Sequence, residues 1–478
     1  MAGVVAVVVV VVLAVGIWVL PALTGRSNSP PPGGAASPSG VAVAPSALPS
    51  PASSPAGSPA VTRGTPTSTT LPGGPFGVTG SMAVLGNDGS LSLVDATGRS
   101  VLLSPAENAF GGFPAWSPDG TRIAAIRADP AGNSILVYDA GQAASGQPVE
   151  PVVILRSSAV EPFYLSWTPN SRSVSFLAAE TSGLSLRIAP ADGSAPLDGS
   201  GVGAKLQTGN PLYFDWIEQD RLLAHVGTGP FAFLGEVGVG GASPAPALEK
   251  PGDFRPAVIS NDRKYVSYVR AGTAGSSDVV VAARDGSSER TMPVLGMAAV
   301  TFDPTSDTIA SIGPTETPET AYAIPLGPLR LMDPSSGKVR TLLDGQVVSF
   351  WWSPDGKTIA ALRVQPVDGP TASPSPSSPS SSPIPSPTAE PTEVRLLFVD
   401  VATGDIGAQH VVMAGQLFID QFLTYFDQYA LSHRIWAPDN SSILIPVADP
   451  PGTTRIAVMY RNGDPPRLID GAIGFWSP

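Results

Sequence analysis

Short apolar runs with two-residue alternation recur from about residue 80 to the end of the chain, each bounded by Gly, Pro, Asp, Asn or Ser. That pattern predicts half-buried β-strands joined by tight turns. One turn phrase repeats. Trp116 opens WSPDGTRIAAI, Trp167 WTPNSRSVSFL, Trp352 WSPDGKTIAAL and Trp436 WAPDNSSILIP. Weaker copies open at Ile259 (ISNDRKYVSYV), Phe302 (FDPTSDTIASI) and Trp216 (WIEQDRLLAHV). In all seven copies the residue seven places after the opener is apolar, from Ile123 to Ile443. Pro118 presets φ for the second position of a turn, and Asp119 and Gly120 suit the positions after it, so the phrase reads as a hairpin. Further strands follow, such as SILVYDA (134–140) and VVILRSS (152–158). Four strands per 43–51 residues is the signature of a β-propeller blade.

The two ends of this region complement each other. Residues 81–105 read as three strands of a unit that lacks its first, and GFWSP (474–478) reads as a first strand with nothing after it. Pairing the strand at Trp476 with the strand at Met82 would complete one composite blade and remove exposed sheet edges. The expected fold is therefore an all-β propeller of eight blades, closed by its N- and C-terminal strands. Seven is the alternative should the Trp216 unit not form a blade.

Outside the repeats the pattern changes. Val4–Leu20 is continuously apolar and long enough to span a bilayer core as a helix. It exceeds a signal-peptide core and lacks a basic start, so residues 1–25 are expected to be an uncleaved transmembrane anchor. Residues 26–77 are dominated by Pro, Ser, Gly, Ala and Thr, which cannot bury enough apolar surface to order themselves, and read as a disordered linker. A second such stretch, 366–392, lies inside the propeller region 78–478, between TIAALRV and VRLLFVD. It is expected to be a disordered excursion at a strand–strand connection. Anchor and stalk together place the propeller outside the cytoplasm, on a single-pass membrane tether.

Composition narrows the chemistry. The 478 residues include 53 Pro and 51 Gly, an excess that opposes a helical fold. The absence of Cys excludes disulfides, thiolate metal sites and cysteine catalysis. A net charge of −12 argues against nucleic acid as a partner. His225, His410 and His433 lack metal-ligand spacing, no G-x-S-x-G elbow occurs, and Gly199–Lys205 and Gly356–Thr358 fail as phosphate loops. No cofactor, metal or catalytic residue is expected. The turn residues Asp119, Asp262, Asp355 and Asp439 read as turn chemistry, and the opener tryptophans as packing between blades.

The W-S-P-D-G-x-x-I-A phrase resembles the TolB-like, WD40-like (PD40) propeller repeat, strongly at Trp116–Gly120 and Trp352–Gly356, over roughly residues 80–478. The resemblance implies a scaffold and a binding role, not a reaction. The segments before the openers are aromatic: Phe110, Phe113, Phe163, Tyr164, Tyr213, Phe254 and Trp351. In 415–434, Phe418, Phe422, Tyr425, Phe426 and Tyr429 repeat at helical spacing. Either this helix packs on the propeller face, or with Asp420 and Asp427 it walls a ligand pocket at the channel mouth. The expected function is a non-catalytic binding or protein-interaction module, with a protein or a cell-wall glycan as ligand. The alternative is a hydrolase or lyase acting on glycan or peptide through channel-mouth carboxylates.

Overall fold

The computed structural model describes residues 68–70 and 75–478, apart from 107–108, 111, 130–131, 195–201, 228–231, 241–247, 249–255, 273–275, 317–323, 368–391 and 450–452. The expected anchor, most of the linker, Phe254 and the body of the Pro/Ser insert lie outside the described residues. Among the described residues no helix is long and apolar enough to cross a membrane.

The repeated phrase folds as its residues require. In six copies the residue after the opener donates its N–H to the carbonyl five places on, as Ser117 does to Arg122 and Ser353 to Thr358. The Ser117 hydroxyl donates to Asp119 Oδ1 (2.6 Å) and accepts from the N–H of Arg122 (2.9 Å). Thr168, Ser260 and Ser353 repeat both contacts. The turn carboxylates are thus engaged locally. In five copies the fifth position of the phrase adopts positive φ, at 71° in Gly120 and 68° in Gly356. A Cβ on Gly356 would also meet Asp303 Oδ1 of the neighbouring turn at 2.4 Å. The Trp216 copy departs from this scheme: Glu218 pairs with Arg221 across a two-residue turn.

The described strands form seven antiparallel sheets. One has seven strands, because the 14-residue strand Val339–Trp352 serves two neighbouring sets. Sheets pack face to face, so inner strands are buried on both sides. Ile126, Val137 and Leu155 of one sheet form a cluster with Leu165, Val174 and Phe176 of the next. Leu223 and Leu234 meet Val266 and Val280 in the same way. The opener tryptophans stitch these layers. Trp116 Nε1 donates to Phe475 O (3.0 Å), Trp167 Nε1 to Ala115 O (3.0 Å) and Trp436 Nε1 to Trp351 O (3.1 Å). Each acceptor is the residue just before a neighbouring opener.

The two ends of the folded region meet as expected. Ile473–Trp476 pairs antiparallel with Ser81–Leu85, Met82 facing Trp476, in the order 68–70, 99–104, 91–95, 81–85, 473–476. This sheet packs on the strands of 442–470 through Val84, Val94, Leu444 and Val458. Ser68–Thr70, within the stretch read as linker, adds an outer strand to it, and Phe76 is buried. The Pro/Ser stretch leaves and re-enters on one hairpin, where Pro366 faces Thr392.

Candidate functional site

All seven openers and Trp476 line a single cavity of about 630 Å³. Innermost strands from every sheet therefore converge on one axis. At one end the lining is buried, by Phe214, Phe350, His433 and Phe475; at the other, Pro118, Pro169 and Pro304 are exposed. The cavity opens on the face that carries the Pro-Asp turns.

The closed end is filled by the 415–434 segment. It is not one regular helix but a π turn (Phe418–Phe422), a 3₁₀ turn (Leu423–Tyr425) and an α turn (Phe426–Tyr429). The aromatic stripe points into the ring: Phe418, Phe422, Phe426 and Tyr429 are buried, while Tyr425 is half-buried. Phe422 stacks on Phe418 (5.2 Å) and on Tyr429 (5.1 Å). Phe113 meets Tyr429 at 5.1 Å and Phe422 at 6.0 Å, and Trp351 meets Phe426 at 5.9 Å.

A polar pin holds this plug. The amide of Gln428 donates to Phe214 O (2.8 Å) and to Tyr164 Oη (2.9 Å), and its oxygen accepts from the Phe214 N–H (3.2 Å). Tyr164 Oη also contacts Ser432 Oγ (2.8 Å), and Ser432 Oγ lies 2.7 Å from His433 Nδ1. Burial pushes His433 down to about 3, so the ring is neutral at physiological pH and accepts the Ser432 hydroxyl proton.

Of the residues expected to bind ligand, Phe113, Tyr164 and Trp351 are brought together, buried against the plug. Phe163 is half-buried beside them. Tyr213 stacks on His225 (5.8 Å). Asp427 is buried, with Oδ1 accepting from the Gln428 N–H, and Asp420 accepts from Gln416 Nε2 (2.8 Å). Phe110 pairs through its backbone with Arg127. The aromatic residues Phe418, Phe422, Phe426 and Tyr429 of 415–434 are thus packed on the propeller face.

The open end holds different groups. Trp116, Trp167, Trp436 and Trp476 are buried, whereas four consecutive openers, Trp216, Ile259, Phe302 and Trp352, are half-exposed on the cavity. Asp215 lies among them. Burial pushes its carboxyl up to about 7, although the N–H groups of Ile259 (3.0 Å) and Trp216 favour the charged form. Asp303 also lines the cavity, with both oxygens engaged by Thr305 and Ser306. Arg434 and Arg263 line it too, and both are exposed. Neither Arg was singled out by the sequence, although Arg263 stands where other copies carry Gly120 and Gly356. Among the described residues no group of three metal-ligating side chains occurs.

The Asp215 carboxyl gives a signed prediction. Its folded-state value lies above the unfolded one, so it favours the protonated form. The resulting destabilisation is absent below about pH 4, grows as pH rises towards 7 and is complete above it. Asp215→Asn keeps an acceptor for the backbone and cannot ionise. Melting curves of the two proteins should coincide at acid pH, and the variant should become the more stable above neutrality.

No family model matches the chain, and no curated protein matches it by sequence. Several solved structures align with it at low identity. A eukaryotic initiation factor aligns at 13% identity and a TM-score of 0.47, over 84% of this chain and 98% of that one. TolB from Acinetobacter baumannii aligns at 14% and 0.36, over 85% and 69%. An oligogalacturonate lyase in complex with manganese aligns at 10% and 0.34, over 83% and 98%. Among the described residues the chain is almost entirely β, in antiparallel sheets. At such identities the likeness concerns fold alone.

Proposed function

We propose that the chain is a non-catalytic binding module, a TolB-like propeller tethered to the membrane through residues 1–25 and displayed outside the cytoplasm. Counting units by their openers, and the seven-stranded sheet as two units through its shared strand, gives eight blades. The observation that carries the reading is the one-sided cavity: about 630 Å³, plugged at one end, with Trp216, Ile259, Phe302 and Trp352 forming a continuous half-exposed wall. An apolar, concave surface with a few polar groups is what a ligand site requires, and buried aromatic anchors dominate binding energy. The ligand is a protein segment or a cell-wall glycan. Capture with the full chain on wall fragments and extracytoplasmic proteins tests this. Trp352→Ala should weaken capture about tenfold or more, and a protein that captures nothing would defeat the reading.

A second reading, hydrolysis or elimination on glycan or peptide, is favoured by one observation. Asp215 remains partly protonated at neutral pH and could serve as a general acid. Turnover of such substrates that disappears in Asp215→Asn would establish it in place of the first.

A further inference from the structure

Two arginines, Arg434 and Arg263, line the cavity without a side-chain hydrogen bond or ion pair among the described residues. Arg434 sits two residues before the Trp436 opener, and its carbonyl accepts the Trp476 N–H at 2.7 Å, which fixes its backbone to the seam strand. Partial desolvation by its neighbours lowers its pKa, although the side chain keeps an exposed part. Arg263 is stranger. It occupies the positive-φ position of its turn (64°), where glycine would be unstrained. Ser171 and Asn440 share that conformation, but each bonds a neighbouring turn: Ser171 Oγ accepts from Asp119 N (3.1 Å), and Asn440 Oδ1 from Asp355 N (2.9 Å). Arg263 makes no such bond. Backbone strain without a structural return is characteristic of functional positions.

The carboxyl groups nearby form no ion pair with these arginines among the described residues. Both oxygens of Asp303 are engaged in its own turn. Asp215 is partly neutral, and no ion pair links either to an arginine among the described residues. The cavity thus carries two arginines that no carboxylate pairs among the described residues, beside an aromatic wall. Guanidinium presents planar paired donors that match a carboxylate, and it is strongest where water is scarce.

We infer that the cavity takes an organic anion, with a carboxylate head seated by Arg434 and Arg263 and a flat apolar body against Trp216, Phe302 and Trp352. The inference rests on the binding reading above and narrows its protein-segment ligand to one that presents a carboxylate beside an aromatic side chain. The apolar wall supplies affinity through buried area, and the arginines select charge. Arg263 is a specificity residue retained at a conformational cost.

The test uses the full chain with indole-3-propionate and its uncharged methyl ester as probes, followed by calorimetry. The carboxylate should bind roughly 10- to 100-fold more tightly than the ester, the worth of a charge-assisted contact. Arg434→Gln should erase the difference, and Arg434→Lys should retain part of it. Arg263→Gly separates function from folding: it should raise the melting temperature by about 1–3 °C through relief of the turn, while weakening carboxylate binding roughly threefold or more. Equal affinity for acid and ester in the wild type would overturn the anion seat and leave cavity binding intact. Unchanged carboxylate affinity in both arginine variants would overturn it as well. Binding of neither probe also overturns it, and the broader reading is then decided by its own capture experiment.

Discussion

Trp476→Ala is expected to cost about 3–5 kcal/mol of folding stability, the range for deleting a fully buried large aromatic. Trp476 has no solvent exposure, faces Met82 across the seam and packs in the cluster that joins the seam sheet to the strands of 442–470. The strand it belongs to has four residues, and Trp476 is the largest side chain it buries, beside Ile473 and Phe475. Urea unfolding would read the effect as a lowered midpoint. Trp216→Ala provides the comparison. That indole is half-exposed and its turn departs from the common form, so the loss there should be clearly smaller, about 1–2 kcal/mol. Equal losses at both sites would mean that the seam carries no special load.

Gln428→Ala is the second large effect. The amide is buried and satisfies the N–H and the carbonyl of Phe214 together with Tyr164 Oη. Removing it strands several polar groups in a dry site, at about 1–3 kcal/mol for each that stays unsatisfied. A total of roughly 2–4 kcal/mol follows if relaxation rescues some of them. The loss should be local first. Hydrogen exchange should speed up in 415–434 and at Phe214 before the outer strands respond, because the plug is joined to the ring chiefly by ring contacts and this amide. Gln428→Glu is a stricter variant: it keeps the shape but turns a donor towards the Phe214 carbonyl into an acceptor. Protection as high as in the wild type would show that the aromatic stack alone holds the plug.

The hairpins were legible because their chemistry is local. Ser117, Pro118, Asp119 and Gly120 hold one another within six residues, so the sequence states the turn and its spacing states the strand. The Trp216 copy has the period and the apolar positions but not the turn residues, and its turn is shorter. The seam was legible because two incomplete units had complementary deficits. The plug was half legible. Spacing put Phe418, Phe422 and Phe426 on one stripe, but what covers that stripe is Phe113, Tyr164 and Trp351, residues remote in sequence whose convergence is a property of the ring. Phe113, Tyr164 and Trp351, read from the sequence as ligand-facing, pack on this segment. Arg263 had a signal in the sequence, an arginine aligned with glycines, which only becomes meaningful once the φ of that position is known. Asp215 had none, since its ionisation is set by desolvation.

The hairpin at Pro366 and Thr392 has a practical corollary. The chain departs and returns at facing residues on neighbouring strands, so whatever is spliced between them imposes no strain on the sheet. A fluorescent reporter grafted in place of 368–391 would ride on the outside of the molecule, leaving the seam, the plug and the arginines undisturbed.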